Sequence, residues 1–119
     1  MARLGYALAA FPLALFFVFV GGNKAVAPLA QLAAHHAWTI WLPAWLGRIV
    51  GVSELLCAAA LLVGFRSNWR MWGRVAGVAL VLNQIIAALV HLAHAETSAL
   101  PQNGVLLVMA LLAAVLARK

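Results

Sequence analysis

Long apolar runs dominate the chain, and polar residues fall almost entirely between them. The runs cover about 4–22, 45–64, 73–94 and 100–117. At ~1.5 Å per residue, helices of this length reach ~27–33 Å and match a hydrocarbon core of ~30 Å. The pattern therefore predicts an all-α bundle of four transmembrane helices in one integral membrane domain, 1–119. The connection around Arg66-Ser67-Asn68-Trp69 is short enough to make spans two and three antiparallel neighbours. The first connection, 23–44, is long. Pro28 is placed to open a short helix lying on the membrane, with Leu29, Leu32 and Ala33 toward lipid and His35 and His36 nearer water. Trp38, Trp41 and Trp45 suit the interface. Ser98 is the expected N-cap of span four, with Pro101 in its first turn.

Helical periodicity sorts the exceptions to this pattern. In span two, Gly47, Gly51, Glu54 and Ala58 share one face; in span three, Gly73, Gly77, Gln84, Ala88 and His91 do the same. Each stripe contains G-x-x-x-G, which allows two helix backbones to approach closely. These faces are expected to turn inward, against each other or against span one. Glu54 falls ~16 Å from the arginine-rich end of its span, and Asn83 and Gln84 fall ~14–15 Å from theirs. All three therefore sit near the bilayer midplane. A lone carboxylate there is unfavourable by at least ~2.5 kcal/mol. It should hold its proton, accept hydrogen bonds from an amide such as Gln84 or Asn83, or both. Arg48 and His91 lie nearer the opposite interface, where Asn23, Lys24, His94, Glu96, Gln102 and Asn103 would complete a polar rim.

Composition strengthens the membrane reading. Hydrophobic residues make up 67% of the 119 positions and charged residues 8%, whereas soluble domains hold roughly 45–50% and 25%. A soluble fold of this size could not hide so much apolar surface. The net charge of +6 does not indicate nucleic acid, because the basic residues form no stripe. Their distribution sets topology instead. Arg3, Arg66, Arg70, Arg74, Arg118 and Lys119 gather on one side of the four spans, and only Lys24 and Arg48 on the other. The first side, with both termini, is therefore expected to be cytoplasmic. The apolar run at 4–20 exceeds the ~7–15-residue core of a signal peptide and is expected to remain as the first helix.

Familiar reaction templates do not occur: the chain lacks a phosphate-cradling glycine loop, a Ser-His-Asp set and C-x-x-C. Cys57 is the one cysteine and reads as a small buried hydrophobe. His35-His36 and the His91/His94 pair have no third metal ligand except Glu96 nearby. Neither a metal nor haem is expected.

Several short stretches carry a resemblance. Gly21-Gly22-Asn23-Lys24, Trp41-Leu42-Pro43-Ala44-Trp45-Leu46, Val50-Gly51-Val52-Ser53-Glu54 and Leu61-Leu62-Val63-Gly64-Phe65-Arg66 resemble the DoxX-like family of small four-helix membrane proteins. The similarity spans roughly residues 5 to 95, and Lys24 and Glu54 are the matched polar positions. It implies association with membrane redox chemistry in a bacterial inner membrane. The cysteine pairs that thiol exchange would need are absent.

Three functions follow as expectations. The first is an accessory or assembly subunit of a membrane redox complex, with no catalysis of its own, contacting lipid and either other membrane subunits or further copies of itself. The second is a quinone- or lipid-binding redox component using Glu54, Gln84 and His91, with Asn83, Arg48 and Lys24 as further candidates for ligand binding or proton acceptance. The third is a small transporter.

Overall fold

The computed structural model describes residues 2–117, which form five α-helices and three single turns of 3-10 helix. Four helices are long and apolar enough to cross a membrane: α1 (Ala2–Val26), α3 (Ala44–Val63), α4 (Arg70–Ala93) and α5 (Leu100–Leu116). The short α2 (Leu29–Ala34) follows Pro28, as its position before an apolar stretch suggested. Arg118 and Lys119, counted in the charge argument, lie outside the described residues.

Outward-facing side chains are mostly apolar along the bundle: Leu8, Phe19, Leu56, Leu82, Leu89 and Val105 are more than half exposed. Lipid, not water, is the medium that accepts such a surface. Inside, small residues alternate with large ones. Ala10, Ala14, Ala58, Ala87 and Ala110 are fully enclosed together with Leu13, Phe17, Leu61 and Leu80.

The glycines decide which helices meet. α1 packs most extensively on α3, and α4 on α5. A Cβ on Gly51 would lie 2.7 Å from the Lys24 carbonyl carbon and 2.8 Å from Gly21 O, so α1 and α3 touch backbone to backbone. Gly77 plays the same part for α5, where a Cβ would meet Ala110 O at 2.8 Å. The two G-x-x-x-G faces thus do not pair with each other. Gly51 serves α1 and Gly77 serves α5, while Gly73 lies against the Tyr6 ring of α1 and close to Gly64 at the end of α3.

Other local expectations are corrected. Ser98 does not cap α5: Thr97–Ala99 form a 3-10 turn, and Ala99 precedes the helix without a side-chain cap. Pro101 does sit in the first turn. Leu32 turns inward and is buried, although Leu29 and Ala33 of the same helix are exposed. The first span also runs further than its apolar run, through Lys24 to Val26.

Two side chains supply hydrogen bonds that helix ends leave unmade. Residue 28 is proline and has no N–H for the Lys24 carbonyl, which accepts from Arg48 Nη1 at 2.9 Å instead. At the other end of the bundle, Phe65 N–H bonds Leu62 O, and the released Leu61 carbonyl accepts from Tyr6 Oη at 2.6 Å. Tyr6→Phe would strand that buried carbonyl. We expect a loss of about 1–2 kcal/mol, read as a lower thermal midpoint in detergent with unchanged helical content.

Candidate functional site

Lys24 was expected on a polar rim. Because α1 continues past it as helix, and because Gly21 and Gly51 bring α1 and α3 together, its side chain points into the bundle instead. The Lys24 ammonium lies 3.0 and 2.9 Å from the two oxygens of Glu54, with Glu54 fully enclosed and Lys24 only 7% exposed. The Trp38 ring covers the ammonium at 5.5 Å, a favourable cation–π distance. The partner of the midplane carboxylate is thus a lysine as well as an amide.

From Glu54 a chain of amides crosses to the far helices. Asn83 Nδ2 donates to Glu54 Oε2 at 2.8 Å, Gln84 Nε2 to Asn83 Oδ1 at 2.9 Å, and Asn103 Nδ2 to Gln84 Oε1 at 2.8 Å. Asn83 therefore contacts the carboxylate as expected, and Gln84 reaches it only through Asn83. Asn103, expected at the rim, is buried at the end of this chain.

Beside the chain lies a cavity of about 300 Å³. α1 contributes Phe16, Phe19, Val20, Asn23 and Lys24, and the segment 31–38 lies along it with Leu32, His35, His36 and Trp38. Gln84 and His91 from α4, and Gln102, Asn103 and Leu106 from α5, complete the wall. Of the candidate residues, Lys24, Gln84 and His91 line the cavity. Glu54, Asn83 and Arg48 stand behind it, holding the lining residues in place. Two polar atoms on lining residues, Trp38 Nε1 and Asn103 Oδ1, are buried without a hydrogen-bond partner.

The segment beside the cavity is clasped to the turn between α4 and α5. Trp41 stacks on His94 with ring centroids 3.9 Å apart, and its Nε1 donates to Glu96 Oε1 at 3.1 Å. His91 Nδ1 meets the same oxygen at 3.1 Å. The turn aims Glu96 back at His91 because Ala95 takes a left-handed φ of 58°, while Glu96 N–H bonds His91 O and Ala95 N–H bonds Leu92 O. His36 ends α2 in the same way with φ 55°. Both are Schellman ends without the glycine that usually reveals them, so composition gave no signal for either.

The Trp41 hydrogen bond, followed by the hydrogen bond and charge of His91 and the charge of His36, holds the Glu96 carboxyl below its ordinary value. A depressed carboxyl stabilises the folded clasp above the unfolded value of about 4.3 and loses that contribution as pH falls through the lower folded value. Acidification below the ordinary carboxyl value should therefore release the clasp, seen as a change in tryptophan emission that Trp41→Phe removes. An unchanged emission profile across that window would show that the clasp does not depend on Glu96.

Four apolar helices around a buried ion pair and a polar-lined cavity define a small multi-pass membrane protein. The DoxX-like family model matches residues 8–113, and the chain belongs to that family. No curated protein and no solved structure matches it significantly.

Proposed function

We propose that this protein is an intramembrane binding protein for a small molecule with a polar ring and an apolar tail, of the quinone/quinol class. The observation that carries this reading is the asymmetric cavity beside Lys24. Lys24, Gln84, His91 and Asn103 give it polar walls, and Phe16, Phe19, Val20 and Leu106 give it an apolar side. Its volume of about 300 Å³ falls at the small end of ligand sites, suited to a single substituted ring. Phe19 is 70% exposed on the outer surface of α1, which lets a tail pass from the cavity toward lipid.

The arginine-rich end faces the cytoplasm in this proposal, since Arg3, Arg66, Arg70 and Arg74 outnumber Lys24 and Arg48. The chain is one domain of a bacterial inner membrane, and it serves a larger redox complex by holding or passing the ligand. The resemblance to the DoxX-like family, which implies an association with membrane redox chemistry, supports that accessory role.

Organic extraction of protein purified in mild detergent, followed by mass spectrometry, should recover quinone or quinol near one per chain. Lys24→Met should lose it. Wild-type extract containing only bulk phospholipid would overturn the binding role, and intact-complex mass spectrometry without larger partners would overturn the accessory role.

A further inference from the structure

We propose a second binding site, at the arginine-rich end of the bundle, for the phosphate headgroup of an anionic phospholipid. It shares no residue with the cavity beside Lys24 and stands apart from the quinone/quinol reading.

The site is a cavity of about 240 Å³ where the ends of several helices meet. α1 supplies Arg3 and Tyr6, the start of α4 supplies Arg70, and Phe65 and Leu116 add apolar walls. The seam between α1 and α5 is tight here, since a Cβ on Gly5 would lie 2.9 Å from Leu116 Cδ1. Tyr6 Oη is already spent on the Leu61 carbonyl. The two arginines therefore carry the polar side-chain chemistry of this wall. Guanidinium groups pair with phosphate oxygens through parallel N–H bonds. Basic pockets between transmembrane helices hold anionic headgroups in this way.

Charge and surroundings both favour a lipid. The chain has two acidic side chains. Glu54 is held by Lys24 inside the bundle, and Glu96 lies beyond the opposite end of α4. The end that carries Arg3, Arg66, Arg70 and Arg74 has no acidic side chain of its own, so its field draws anions from the membrane surface. Beside the cavity the outer surface is apolar: Leu4 and Leu8 of α1 and Leu112 of α5 are exposed. Leu112 stands one helical turn from Leu116 toward the bilayer centre. Acyl chains can cover that surface, whereas a free phosphate ion makes no use of it.

Arg66 and Arg74 belong to the same end but do not line the cavity, which supplies the control. The test is native mass spectrometry of the full-length chain in mild detergent with equal amounts of phosphatidylglycerol and phosphatidylcholine of matched acyl chains. Wild-type protein should retain about one phosphatidylglycerol per chain, with a preference of roughly 10-fold. Arg3→Gln/Arg70→Gln should abolish the preference. Arg66→Gln/Arg74→Gln removes the same charge and should keep it. Equal loss in the two double variants would show attraction to net charge alone and overturn the site. Displacement of the lipid by millimolar inorganic phosphate would assign the cavity to a free anion and overturn the lipid. Absence of any preference in wild-type protein would overturn the proposal without recourse to a variant.

Discussion

Gly51→Ala should destabilise the protein by about 3 kcal/mol, while Gly22→Ala, only a few residues from the same contact, should not. The chemistry of the two changes is identical; only the surroundings differ. A methyl group at Gly51 would run into the Ala25 nitrogen, the Lys24 carbonyl carbon and Gly21 O, all of them backbone. Backbone cannot swing aside as a side chain can, so α1 and α3 must separate. Nothing lies within 4 Å of the corresponding position at Gly22. There the exchange only removes a flexible residue from a helix, a gain of roughly 0.5–1 kcal/mol. Separation of α1 from α3 would also draw Lys24 away from Glu54, so Gly51→Ala should lose bound ligand as well as stability. Thermal midpoints in detergent compare the pair directly. Equal midpoints would mean that the helices do not meet through Gly51.

The second large effect concerns the ion pair. Lys24→Met and Glu54→Leu should each cost about 3–5 kcal/mol, because each leaves one partner's charge buried alone. The double variant Lys24→Met/Glu54→Leu should recover most of that loss, since apolar side chains suit an apolar interior. Stability and binding would then separate: the double variant should fold and still fail to retain ligand. This outcome would assign the pair to function and not to support of the fold. Additive losses in the double variant would show instead that the two residues act independently, contrary to their 2.9 Å contact.

How much of this was legible beforehand differs from feature to feature. The four spans were read within a few residues, and Pro28 marked the start of α2. The inward faces of α3 and α4 were also largely evident from spacing: Gly47, Gly51, Glu54 and Ala58 are buried together, as are Gly73, Gly77, Gln84 and His91, whereas Ala88 of the same stripe is only partly buried and Ala87 is enclosed in its place. Lys24 was misread. A charged residue just past an apolar run looks like a headgroup anchor, and nothing local signals that a carboxylate 30 positions later will receive it. Asn103 was misread for the same reason. Trp38 was read as an interfacial ring, but it is 6% exposed and covers the lysine.

The amino-acid sequence by itself determined that the chain lives in lipid and where it crosses. Helices close their hydrogen bonds within a few residues, and hydrophobicity adds up along each segment, so both properties are local. Tertiary structure alone decided that Gly51 docks α1 rather than α4, that Lys24 meets Glu54, and that the amide chain ends on an unpaired oxygen beside a cavity. Those outcomes depend on distances between residues far apart in the chain, set by how closely small side chains let the backbones approach.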